Sequence, residues 1–393
     1  MNTRMRRAWF VLAGCFLVST GFNAYLFGTA SIVPFVVEAF GIDKAAAGLA
    51  ISVVFFGWVT LQIPGGLLMD RYDNRRLVWG GAGVFAVAAL AGVVAPTYPT
   101  FLGARFVGGT AAVVLWTANA NIVSDAFPPA RRALGTSLFV TSAPAGVALA
   151  QAAGPRLTEL VGWRAAVAAY ALVTAVGLVP FGLALRGPVR NETQLSLAGF
   201  AAALGDRQVL AVAASSFCAY ALFVFFNSWM PTYATEEVGV SLGTAGTLAA
   251  LLPAVGLIAR PGGGWLSDRV GGRRPVIIAA FLLVVPALAG AALATSTAGL
   301  AAALLLAGLG SQLGTGVFYV YVEEVSPPES GGTSLAVLMT LSIAGSLAAP
   351  VAAGWLIGTI SWTAAFWLGG VLAAGGIIAV LQAPEPALPG ESG

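Results

Sequence analysis

The stretches GGLLMDRYDNRR (residues 65–76) and GGWLSDRVGGRR (residues 263–274) are two copies of one pattern. Asp70 falls on Asp268 at an offset of 198, and Ala47-Gly48 on Ala245-Gly246 and Asp125 on Glu323 keep that offset. Pro34 falls on Pro231 and Gly135-Thr136-Ser137 on Gly332-Thr333-Ser334 at 197, and Pro128 on Pro327 and Trp163 on Trp362 at 199. A drift of one residue either way is what short insertions in loops produce. The chain is therefore an internal duplication, with halves of about 1–185 and 208–382.

Composition says which solvent the duplicated unit meets. Apolar residues make up 58% of the chain and charged residues 9%, against roughly 25% charged in a soluble globular domain. So few charges cannot cover the surface of a water-soluble protein of 393 residues, whereas hydrocarbon requires none. A crossing helix needs about 20 apolar residues. Twelve stretches meet that need: about 8–37, 45–68, 77–95, 101–124, 133–155, 162–185, 208–235, 243–267, 275–293, 297–322, 331–358 and 362–382. The apolar run after MNTRMRR has no small-x-small cleavage pattern and continues past Ala30, so it reads as a retained first helix.

The predicted fold is all-α: twelve transmembrane helices in two pseudo-symmetric six-helix bundles. Six is even, so the halves run parallel, about an axis along the membrane normal. Residues 186–207 between them read as a cytoplasmic linker with a helix in the interface, and 383–393 as a cytoplasmic tail. Basic residues set the orientation. Arg4, Arg6, Arg7, Arg71, Arg75, Arg76, Arg131, Arg132, Arg186, Arg190, Arg207, Arg269, Arg273 and Arg274 fall on one side, and Lys44, Arg156 and Arg164 on the other. That split of 14 to 3 predicts cytoplasmic termini and a multi-pass protein of the cell membrane.

Several classes are excluded by what is missing. There is no His, hence no His metal site or proton relay. Cys15 and Cys218 are single residues inside spans and read as small buried side chains. The Gly-rich runs lack the strand–helix context of nucleotide loops, and no catalytic set or cofactor motif is present. The expected partners are the bilayer and a small-molecule solute, with no nucleic acid, metal or cofactor, and the expected state is a monomer.

The paired stretches at 65–76 and 263–274 resemble the signature loop of the major facilitator superfamily, which follows the second and eighth helices. The second copy carries Gly264, Asp268, Arg269, Gly271, Arg273 and Arg274; the first carries Gly66, Asp70, Arg71, Arg75 and Arg76 but has Asp73 and Asn74 where the family has Gly and a basic residue. The resemblance implies a conformational switch in which these residues meet acids at the ends of neighbouring spans, with Asp125 and Glu323 as the repeat-related candidates. Arg105, in RFVGGTAAVV, resembles the family's fourth-helix arginine; it is expected to face the bundle interior or to snorkel, in a structural or coupling role. The fifth-helix motif of the antiporters survives only as Gly146 and Gly154-Pro155, which does not argue for drug/proton antiport.

Arg260 is the most informative position. It lies eight residues before Asp268, about 12 Å of helix inside the cytoplasmic end. A charge at that depth reads as a functional site, and a guanidinium presents a planar donor fork suited to oxyanions. Its repeat mate is Gln62. The pattern is distantly similar to the nitrate/nitrite porter branch, where both positions are Arg; the cyanate porter and organic-anion branches are also similar. The family resemblance implies a pore lined by the first, fourth, seventh and tenth spans. Their polar and aromatic residues are Asn23, Tyr25, Trp116, Thr117, Asn119, Tyr220, Asn227, Gln312, Thr315 and Tyr319. Every acid falls near a span end or in a loop, which leaves the core electropositive. The expectation is a secondary active carrier of a small anion, inorganic or carboxylate, with a coupling proton or a counter-transported anion as second partner. The alternative is proton-coupled export of drugs or metabolites.

Overall fold

A computed structural model describes residues 3–185, 187–189, 197–327 and 330–385, with the side chains of Thr3, Arg4, Ile63, Leu67, Asp70, Ala130, Ala133, Leu197 and Ala198 outside the description. Arg186, Arg190, most of the linker's first half and the tail beyond Glu385 also lie outside it. The described residues are almost wholly helical, with no strand.

Among the described residues eleven helices are long and apolar enough to cross a bilayer. The twelfth crossing is the fifth in sequence, split at Thr141 into α6 (Pro129–Val140) and α7 (Ser142–Val161), neither of which qualifies alone. Before it come α1 (Thr3–Gly28), α2 (Val33–Phe40), α3 (Lys44–Arg71), α4 (Asn74–Val94) and α5 (Tyr98–Ala126). After it come α8 (Trp163–Ala184), the short α9 (Leu197–Gly205), α10 (Arg207–Glu236), α11 (Leu242–Val270) and α12 (Arg274–Ala292). The chain then continues through α13 (Thr297–Leu313), α14 (Thr315–Val325), α15 (Gly331–Thr359) and α16 (Trp362–Leu381). Three sequence-predicted spans are thus interrupted: the first by a 3-10 turn at Ala30–Ile32, the fifth at Thr141 and the tenth at Gly314.

The chain forms two compact units, Met1–Ile42 with Val53–Gln194, and Asp43–Ser52 with Leu195–Gly393. Within the second, Lys44 Nζ lies 2.6 Å from Glu236 Oε2 and over the Trp362 ring.

Apolar patterning decides which helices face lipid. Exposed Val87, Leu90 and Val94 on α4, and Leu172, Val176, Val179 and Leu183 on α8, recur at helical spacing. In the second unit Leu282 and Val285 on α12 and Trp367, Val371 and Ile378 on α16 do the same. α1 is buried continuously from Val18 to Gly28 and α10 from Ala221 to Ala234.

With no hydrophobic drive between helices in lipid, packing rests on close approach. A Cβ on Gly109 would stand 2.1 Å from the carbonyl oxygen of Val54, so α3 and α5 touch backbone to side-chain-free backbone. A Cβ on Gly308 would stand 2.6 Å from that of Leu252 at the α11–α13 crossing. These are repeat-equivalent positions, and the duplication is therefore one of packing as well as sequence.

Gly109→Val and Gly308→Val are expected to force these crossings apart at a cost of about 1–3 kcal/mol or more. Thermal unfolding of the detergent-solubilised protein measures this, with Gly80→Val as the control, since nothing lies within 4 Å of a Cβ there.

Candidate functional site

In the second unit Gln312, Tyr319 and Tyr220, of the predicted residues, gather around Arg260. Its Nε donates to Gln312 Oε1 at 2.8 Å. Gln312 on α13 is fully buried, and its Nε2 has no hydrogen-bond partner among the described residues. Tyr319 on α14 lies within electrostatic reach of Arg260 and shares a 2.9 Å hydrogen bond with the Tyr220 hydroxyl. The two Nη groups of Arg260, which is half-buried, make no hydrogen bond among the described residues. The arginine is thus gripped at its inner nitrogen and offers its outer edge.

In the first unit the same register is neutral. Trp58 Nε1 donates to Gln62 Oε1 at 2.9 Å, one turn along α3. Trp58, Phe22, Trp116 and Phe139 form a chain of rings, with centroids 6.5, 6.4 and 5.0 Å apart in turn. Asn119 is fully buried, and neither side-chain atom has a partner among the described residues. Asn23 donates to Ser19 O within its own helix, and Thr117 and Thr315 likewise bond carbonyls one turn back. Those three bonds are helix-internal.

Arg105 does not snorkel. It is fully buried and donates from Nη1 and Nη2 to the carbonyl oxygens of Tyr25 and Leu26, each at 2.8 Å. These lie in the last turn of α1, whose carbonyls have no intrahelical partner and carry the negative end of the helix dipole. The guanidinium also stacks 4.7 Å from the Tyr25 ring centroid, so Tyr25 packs with Arg105.

The loop after the second helix of each unit is tied down. In the second unit Arg273 Nη2 and Nε grip Glu324 Oε1 and Oε2 at 2.8 and 2.9 Å, and Nη1 meets Asp268 Oδ1 at 2.6 Å. The carboxylate engaged is Glu324; Glu323, the candidate from the repeat, is exposed one residue earlier. The fork geometry favours Arg, and the Glu324 hydrogen bonds foremost hold the Arg273 pKa above its ordinary value. Arg273 therefore stays charged at any physiological pH. Asp125, Arg71 and Arg269 are exposed, and Arg75 is half-buried; the Asp70 side chain lies outside the described residues. The glycine that makes a close approach is Gly263, whose Cβ would meet Leu313 O, and not Gly264, where the space is open. Gly66 is half-buried.

Two groups of contacts had no sequence signal. Glu385, beyond α16, accepts from the backbone N–H of Arg273 and Arg274, while the Tyr321 hydroxyl donates to Pro384 O. In the first unit Asp73 Oδ1 accepts from Arg75 N and Val189 N, and Asn74, fully buried, donates to Val189 O. Asp73 and Asn74, the departures from the family loop, are thus what bind the segment after α8. Among the described residues no cluster could hold a metal ion.

The Major Facilitator Superfamily sequence profile matches residues 11–271 and 212–393. The chain is 24% identical to a probable galactarate/D-glucarate transporter of Escherichia coli K12, over 81% of this chain and 80% of that protein. It is 26% identical to the 3-(3-hydroxy-phenyl)propionate transporter of the same organism, over 94% and 92%. It is 23% identical to a hexuronate transporter of Bacillus subtilis 168, over 94% of each. Its fold is similar to that of a bacterial homologue of the human lysosomal transporter Spinster, with a TM-score of 0.75, 17% identity and coverage of 97% and 95%.

Arg273→Lys keeps the charge and loses the fork. It is expected to lower turnover at least severalfold while leaving substrate affinity within about twofold, because Asp268 and Glu324 sit at a span end. The exposed Asp268 contact alone is worth under about 1 kcal/mol, so Asp268→Asn should cost less than Glu324→Gln. Uptake kinetics resolved into KM and maximal rate check both.

Proposed function

The chain belongs to the Major Facilitator Superfamily, and from that premise we propose that it moves a small organic anion, a carboxylate, across the cell membrane by alternating access. As a family member it is a multi-pass membrane transporter and not an enzyme. The observation that carries the anionic substrate is Arg260, a permanent cation inside a membrane span whose Nη edge is open while Nε is held by Gln312. A charge at that depth is costly unless an oxyanion or a polar group meets it. Tyr319 and Tyr220 add hydroxyls in the same unit. The similar proteins named for galactarate/D-glucarate, hexuronate and 3-(3-hydroxy-phenyl)propionate all have carboxylates in their names, which supports a carboxylate over nitrate or cyanate. Asp268, Arg273 and Glu324 bias the conformational states, Arg105 secures the end of α1, and both termini lie in the cytoplasm.

Counterflow in proteoliposomes, with a panel of D-glucarate, D-glucuronate, hydroxyphenylpropionate, nitrate and cyanate, tests the reading. A carboxylate is expected to exchange with itself. Arg260→Gln, which copies Gln62, is expected to weaken that carboxylate by about 10- to 100-fold, the worth of one to two charge-assisted hydrogen bonds. Arg260→Lys should fall between. Unchanged affinity in Arg260→Gln, or a cationic substrate, removes the anion and brings drug or metabolite export forward.

Orientation has its own test. Single cysteines at 71–76 and 269–274 are expected to label from the cytoplasm, and those at 38–42 and 237–240 from outside. Labelling of 71–76 and 38–42 from the same face overturns the topology.

A further inference from the structure

Position 256 is glycine in the interior of α11, where glycine is less favourable than alanine. The structure supplies a reason. A Cβ there would stand 2.5 Å from Gln312 Nε2 and 2.8 Å from Gln312 Cδ. The missing side chain is the space that the Gln312 amide occupies, and from that space its Oε1 reaches Arg260 Nε at 2.8 Å.

The first half solves the same register in the opposite way. At the offset that pairs Arg260 with Gln62, Gly256 pairs with Trp58. Four residues on from the crossing glycine stands Gln312 in the second half, after Gly308, and Val113 in the first, after Gly109. A long amide opposite no side chain in one half has become a short valine and a large indole in the other. Trp58 then holds Gln62 itself, along its own helix. The three differences go together, which is what a coupled set produces. The amide also carries a burden that packing does not explain: Gln312 is fully buried with Nε2 unpartnered among the described residues, and a buried unsatisfied donor is costly.

The geometry points to Gly256 and Gln312 as positioning residues that set anion selectivity by holding Arg260 with its Nη edge outward. Neither need touch the substrate. Gln312 fixes the guanidinium by the one nitrogen a carboxylate would not need for an end-on, two-nitrogen grip. Gly256 leaves Gln312 the room to do so. Without this brace the arginine has several rotamers, and its fork is no longer presented in one plane. This inference rests on the carboxylate reading of Arg260.

A double-mutant cycle tests it, using the full-length protein in detergent and in proteoliposomes. The probes are D-glucuronate and benzoate, with binding read as ligand-induced thermal stabilisation and transport as KM and maximal rate. Gly256→Ala and Gln312→Ala are each expected to weaken the carboxylate by about tenfold, as loss of one hydrogen bond to a charged group does. The double variant is expected to be no weaker than Gln312→Ala, because removing the amide makes room for the new methyl. The effect should fall on KM, and Gln312→Ala should leave the ligand-free melting temperature close to that of the wild type. Losses that multiply in the double variant would overturn the pairing, since Gly256 would then act independently of Gln312. If Arg260→Gln loses affinity while Gln312→Ala and Gly256→Ala do not, the positioning fails and the anion reading stands. If Arg260→Gln binds as the wild type does, or no carboxylate stabilises the wild type, both fall.

Discussion

A guanidinium deep inside a membrane span has to be met by acceptors, and Arg105 and Arg260 are met in different ways. Arg105 is closed off: two carbonyl oxygens at the end of α1 and the face of Tyr25 surround it. A cation there completes a helix that stops inside the bundle, since α1 ends at Gly28 and the chain turns through Ala30–Ile32 before α2. Arg260 is met on one side only. The contrast separates a charge used to finish backbone hydrogen bonding from a charge left with open valence. Both demands follow from a solvent that offers no hydrogen bonds.

Close helix approach is what makes either arrangement possible. The carbonyl of Val54 fits against Gly109, and that of Leu252 against Gly308. The α11–α13 crossing holds Gln312, one turn past Gly308, within reach of Arg260, two turns past Leu252 on the facing helix. A bulkier crossing would lengthen that reach beyond a side-chain hydrogen bond. The packing glycines and the polar pair are therefore parts of one device.

Much of this was legible in the sequence, and the limits have physical causes. All twelve crossings follow from apolar length, because the hydrocarbon thickness fixes it. Their interruptions at Thr29–Ile32, Thr141 and Gly314 did not show, because hydropathy reports solvent preference and is blind to which carbonyl lacks a partner. Arg105 and Arg260 both read as charges at depth, but only the fold says that α1 ends beside the first. The duplicated loop was visible through its repeat, yet the repeat put forward Glu323 where Arg273 reaches Glu324. One residue is 100° of helix rotation, and a sequence offset that drifts by one cannot resolve it. Gly264 and Gly263 differ for the same reason. Glu385 carries no local pattern at all: its role as an acceptor at the start of α12 exists only because the chain after α16 returns there.

Duplication explains why the halves fold alike, and it frames how they differ. Two identical copies would place two arginines, or two glutamines, at the register of Gln62 and Arg260. The second half carries a cation at this register and the first half an amide, which can hydrogen-bond with no charge to be matched in hydrocarbon. In the first half Trp58 already occupies the carbonyl of Gln62, leaving the amide nitrogen as the group still able to donate. The aromatic chain from Trp58 through Phe22 and Trp116 to Phe139 surrounds that register with polarisable, weakly polar surface. The asymmetry is thus a change in chemistry at equivalent positions, with the backbone crossings that support both halves kept in common.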